Sequence, residues 1–132
     1  MALHSHSRTV LFQEIDAAGI VFFARFFEWF HDAYAEVLAS RGIRFEDVLA
    51  KGEWGIPLVH AEADYREPLR LGVAIRVDIE KIELGDKSMT VTYSVKSDAT
   101  TYAVGKTVHA FIDRKTFRGR LIPDEVRKAF AQ

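Results

Sequence analysis

Cysteine is absent from the 132 residues. That removes disulfides, thiolate metal sites and cysteine nucleophiles together, and it fits a reducing compartment. Long apolar runs are also missing. The longest, Ala17 to Ala24, is far too short to span a bilayer, and Met1 to Val10 carries no signal-peptide core. Neither sign of charge is in excess: 18 basic and 19 acidic residues leave a net charge of −1, and no basic run exceeds two residues. No field therefore favours nucleic acid. Several catalytic motifs are lacking as well. There is no Gly-x-Ser-x-Gly, no P-loop, no Gly-x-Gly-x-x-Gly and no metal-ligand spacing among the five histidines. These absences point to a soluble, cytoplasmic protein without a metal, a membrane or a nucleic-acid partner. The length and the 48% hydrophobic fraction suit one domain over residues 1–132.

What is present is a change of period along the chain. Arg8 to Gln13 is a short β-prone run. From about Phe23 to Ser40 the spacing turns helical: Phe23, Phe26, Phe27, Phe30, Ala33, Tyr34, Val37 and Leu38 recur at threes and fours. Gly42 stands where a helix C-terminal glycine belongs. A shorter helix is expected over Phe45 to Lys51, closed by Gly52. Four β-prone runs follow, Pro57–Arg66, Val73–Leu84, Ser88–Lys96 and Tyr102–Asp113, broken by turn-forming segments. Pro123 opens a short C-terminal helix. Short connections imply antiparallel neighbours. The expected class is α+β, with a five-stranded antiparallel sheet wrapped around one long central helix. A single sheet leaves edges and a face open, which oligomerisation covers.

The chemistry-bearing residues are few. Asp16 is a lone carboxylate followed by eight residues with no charged or hydrogen-bonding side chain. Spacing alone favours a helix cap or turn residue. The other reading is a catalytic carboxylate beside a helix N-terminus, whose unpaired N–H groups bind a developing oxyanion. His60 alternates with the better core face (Val59, Ala61, Ala63, Tyr65) and shares its own with Leu58, Glu62 and Asp64. It is expected to point away from the helix, toward an interface or a substrate. His109 receives a weaker version of the same reading. Clustered Phe and Trp side chains fill the core before they stack on a ligand.

The run Phe12-Gln13-Glu14-Ile15-Asp16-Ala17-Ala18-Gly19-Ile20-Val21-Phe22-Phe23-Ala24-Arg25-Phe26-Phe27 resembles the signature of the 4-hydroxybenzoyl-CoA thioesterase family of hotdog proteins. Ile56 to Leu69 is similar to that family's second strand, and the order of elements matches over nearly the whole chain. The resemblance implies an acyl-CoA thioesterase. Asp16 aligns with the catalytic aspartate, as nucleophile or as general base for water. Phe23 aligns with the helix-start position whose N–H polarises the thioester carbonyl, and Gly19 with the glycine of the turn. His60 is carried as a substrate-binding candidate. No cofactor is implied beyond the coenzyme A of the substrate, and a homodimer or homotetramer with sites at subunit interfaces is expected. Phe at positions 12 and 23, rather than tyrosine and histidine, is similar to the branches acting on 4-hydroxybenzoyl-CoA or 1,4-dihydroxy-2-naphthoyl-CoA. The alternatives are a thioesterase of aliphatic acyl-CoA or acyl carrier protein, a dehydratase or hydratase, and a non-catalytic acyl-CoA binding protein.

Overall fold

A computed structural model describes residues 2–131. In chain order the elements are β1 (His4–Thr9), a single 3-10 turn (Phe12–Glu14), α1 (Ala24–Ser40), α2 (Phe45–Lys51), β2 (Trp54–Gly55), β3 (Leu58–Tyr65), β4 (Ala74–Leu84), β5 (Ser88–Lys96), β6 (Thr101–Ala110), β7 (Ile112–Asp113) and α3 (Asp124–Ala129). Five strands form one antiparallel sheet in the order β1-β4-β5-β6-β3, and β2 pairs separately with β7. The architecture is α+β, as the change of period requires.

The 17 residues of α1 carry an apolar stripe of Phe26, Trp29, Phe30, Ala33, Tyr34, Val37 and Leu38, all buried. Opposite it, β4 contributes Ile75, Val77 and Ile79, and β5 contributes Met89, Val91, Tyr93 and Val95, each 3% exposed or less. Phe30 stacks on Tyr93 with centroids 4.6 Å apart. Its ring lies so close over Gly105 of β6 that a Cβ there would overlap it. A glycine at this point is a packing requirement.

Three expectations change. The first strand lies earlier than Arg8–Gln13, at His4–Thr9, and Phe12–Glu14 is a 3-10 turn. The helix-facing side of β1 is polar and therefore gives no apolar alternation. His4 and His6 bond the Glu36 carboxylate on α1, and Arg8 bonds Glu14. Leu58 and His60 do not share a face. A bulge between them pairs Leu58 with His109 and His60 with Val108, and an inserted residue reverses the alternation. His109 is not on the outer face: it is 3% exposed and stacks on Tyr34 of α1 at 4.0 Å. Because Phe30 demands Gly105, the same face of β6 also presents Thr107 and His109 inward. A chain of hydrogen bonds runs from Tyr93 through Thr107 to Nε2 of His109.

Candidate active site

Asp16 sits in a tight hairpin closed by the Ile15–Val21 bridge. Its N–H donates to the Ile20 carbonyl at 2.8 Å, and the Gly19 N–H donates to the Asp16 carbonyl at 3.0 Å. Gly19 has φ +84°, a left-handed conformation that a Cβ disfavours. The Ala18 N–H donates to Asp16 Oδ1 at 2.8 Å. Oδ2 has no hydrogen-bond or ion-pair partner among the described residues. Asp16 is thus the turn residue that spacing favoured, with one carboxylate oxygen left unengaged. It is not the helix cap. The N-cap of α1 is Phe23, seven residues on, and it makes no side-chain capping bond.

The segment between is held from behind by a buried carboxylate that sequence reasoning missed. Glu14 accepts from both Arg8 and the Leu11 N–H, and from Trp29 Nε1 at 3.0 Å. The Arg8 guanidinium lies 4.5 Å over the Trp29 ring. Burial alone raises the Glu14 pKa, but the Leu11 and Trp29 hydrogen bonds and the Arg8 charge outweigh it, and the net shift is downward. The only signal for this network in the sequence is an acid at Glu14 six residues after Arg8, which lies on a strand whose pairing periodicity does not reveal. The Glu14 carbonyl in turn accepts the Phe22 N–H at 2.9 Å, which ties the start of α1 to the turn before Asp16.

Around Asp16 is a cavity of about 410 Å³ walled by Ile20, Val21, Phe23, Phe26, Tyr65 and Leu69. Tyr65, from the end of β3, donates its hydroxyl to the Phe23 carbonyl at 3.1 Å and packs edge-on to Phe26. Burial raises the Tyr65 pKa and keeps it a donor. The N–H groups of Phe23 and Ala24 have no hydrogen-bond partner among the described residues, as expected at a helix start. The Phe23 ring is 57% exposed. Asp16 and Phe23 therefore line one cavity, and Gly19 shapes the turn that presents Asp16. His60 is elsewhere. It lies on the outer face of β3, exposed, with Nε2 2.8 Å from Glu62 Oε1. Among the described residues, no three or more His, Cys, Asp or Glu side chains come together to hold a metal. No helix of these residues is long and apolar enough to cross a membrane.

The chain as a whole has recognisable relatives. Residues 10–130 match the model of the thioesterase-like superfamily. A 1,4-dihydroxy-2-naphthoyl-CoA hydrolase from Nostoc punctiforme is 31% identical over 122 residues, covering 92% of this chain and 82% of the relative. A protein of the same description from Rippkaea orientalis is 32% identical over 117 residues, covering 86% and 85%. Among solved structures, a 1,4-dihydroxy-2-naphthoyl-CoA thioesterase from Synechocystis superimposes with a TM-score of 0.91 at 24% identity, covering 98% of this chain and 96% of that one, which establishes the likeness of fold. A gentisyl-coenzyme A thioesterase gives a TM-score of 0.84 at 28% identity, covering 96% and 99%. With nearly its whole length matched, the chain belongs to the thioesterase-like superfamily.

Proposed function

We propose that this chain hydrolyses an aromatic acyl-CoA thioester, of the 1,4-dihydroxy-2-naphthoyl or 4-hydroxybenzoyl type, to the free acid and coenzyme A. The observation that carries the reading is one cavity lined both by Asp16, a carboxylate with an unengaged oxygen, and by Phe23, the N-cap of α1, whose N–H has no partner among the described residues. Both are what a thioester needs. A thiolate leaves readily, since a free thiol has a pKa of about 8.5. The reaction requires an attacking group and an oxyanion site rather than a triad. Asp16 attacks the carbonyl or takes the proton of an attacking water. The N–H of Phe23, with the helix dipole behind it, receives the negative charge on oxygen. The thiolate departs as the carbonyl re-forms; this gives the free acid directly when water attacks, whereas attack by Asp16 leaves an acyl–Asp16 anhydride that water then hydrolyses to the acid and the free carboxylate. No further cofactor enters the reaction.

The aromatic acyl preference is supported by the activities named for the relatives and by the aromatic cavity wall of Phe23, Phe26 and Tyr65. The same reading takes the chain as one hotdog domain over residues 1–132, its sheet curled around α1, in a cytoplasmic enzyme. It also makes β3 a pairing edge. Among the described residues β3 bonds only β6, and Leu58, Val59 and Tyr65 are 55%, 61% and 45% exposed. Antiparallel pairing of β3 with a second copy would cover them and form a homodimer, which then can assemble to a tetramer. A panel of hydroxynaphthoyl, benzoyl and hexanoyl CoA esters tests the substrate class. The aryl esters are expected to have the highest kcat/KM, and faster turnover of hexanoyl-CoA than of every aryl ester overturns it.

A further inference from the structure

A second cavity, of about 470 Å³, lies at the other end of β3, between α1, α2 and the start of β3. Its walls are mostly apolar, with Phe45, Val48, Ile56, Pro57 and Leu58; Arg114 also lines it, and the His31 ring stacks on Phe45 at 10°. Volume and lining suit a planar small-molecule group. His109 lies on it, and the hydrogen bonds behind His109 fix what it offers. The Tyr93 hydroxyl, almost fully buried, has one partner among the described residues, Thr107 Oγ1 at 2.7 Å. Thr107 Oγ1 lies 2.9 Å from His109 Nε2. Tyr93 must donate, or its proton is buried without an acceptor. Thr107 then donates onward to Nε2, which accepts. The proton of the neutral ring is thereby placed on Nδ1. That nitrogen has no hydrogen-bond partner among the described residues and is not among their fully buried unpartnered atoms, and His109 lines the cavity. Burial first, and the neighbouring His31 second, push the His109 pKa down to about 4, so the ring is neutral at physiological pH.

We propose that His109 is a specificity-determining residue, whose Nδ1–H donates to a ring oxygen of the aryl acyl group lodged in this second cavity. The inference rests on the proposed thioesterase reading. Leu58 borders this cavity and Tyr65 borders that of Asp16. Seven residues of strand, roughly 23 Å, separate them within one copy. Antiparallel β3 pairing in the register that opposes Leu58 to Tyr65 would bring Asp16 of one copy and His109 of the other to one substrate. An aryl group without a ring oxygen would leave Nδ1–H desolvated and unpaired, which is the physical basis of discrimination.

The test compares 1-hydroxy-2-naphthoyl-CoA with 2-naphthoyl-CoA in the wild type, His109→Phe and Thr107→Val. His109→Phe keeps the stack on Tyr34 and removes the donor; Thr107→Val removes the group that fixes the tautomer. Wild type is expected to prefer the hydroxylated ester. His109→Phe should lose roughly tenfold of that preference, an amount equal to one hydrogen bond. Thr107→Val should lose less, in the same direction. An equal loss on both esters, or an unchanged preference in a folded His109→Phe, overturns the proposal. A second readout needs no turnover. In wild-type protein with 15N-labelled histidine, His109 should show the Nδ1–H tautomer, and 1-hydroxy-2-naphthoate, but not 2-naphthoate, should shift its Nδ1 resonance. An Nε2–H tautomer, or equal shifts with both acids, also overturns it. If Asp16→Asn leaves hydrolysis intact, the catalytic reading fails on its own, and the resonance titration still decides the role of His109.

Discussion

Glu14 and His109 are two buried ionisable residues whose linkage has one sign: both weaken the native state as pH falls. The folded pKa of Glu14 is depressed, so its contribution to stability is complete above the unfolded carboxylate range and is lost as pH falls through the folded value. The folded pKa of His109 is depressed too, from 6.5 to about 4. Unfolded His109 takes up a proton below pH 6.5 while the folded ring stays neutral, so the native state weakens as pH falls from about 6.5 toward 4. The full effect is roughly 3 kcal/mol. Thermal melts at intervals from pH 7.5 to 4 should show a falling Tm in the wild type and a flatter profile in His109→Phe. Parallel profiles would mean that the imidazole is not held neutral. Glu14→Gln removes the charge that faces Arg8, whose guanidinium is itself mostly buried. Leaving that cation unpaired is expected to cost about 3 kcal/mol in urea unfolding, with activity falling as the Phe22 tether loosens.

The elements differ in how openly the sequence announces them. α1 is written in its threes and fours, and β4 and β5 in their alternating Ile and Val, because each buries one apolar face against the other. β1 was misplaced because its inward positions are His4, His6 and Arg8, which satisfy carboxylates rather than pack. The bulge in β3 follows from pairing with β6, a tertiary fact that periodicity does not contain. The inward turn of His109 follows from Phe30 claiming Gly105. Asp16 and Phe23 were legible from the motif, whereas Glu14, which holds their segment in place, needed Arg8 and Trp29 in three dimensions. At this scale Gly105→Ala is the decisive substitution. A methyl group would collide with the Phe30 ring and with the backbone of β3, an overpacking that costs typically 1–3 kcal/mol. Chemical denaturation should show that loss, and Phe30→Leu in the same chain should recover part of it. A Gly105→Ala protein of unchanged stability would contradict the close packing of α1 on β6.

At the scale of the whole molecule, the cavities of Asp16, the proposed catalytic carboxylate, and of His109, the proposed aryl-binding residue, border opposite ends of β3, which among the described residues pairs only with β6. Sedimentation velocity at micromolar concentration is expected to give a dimer or tetramer; a fully active monomer would contradict the shared site. Everything else depends on Asp16 as the group that attacks or activates water. The most direct measurement is therefore kcat/KM of Asp16→Asn on hydroxynaphthoyl-CoA, beside a thermal melt. Loss of a nucleophile or general base predicts a fall on the order of 10³-fold with Tm nearly unchanged, since the side chain can still accept the Ala18 N–H. A folded Asp16→Asn enzyme within tenfold of the wild type would contradict it.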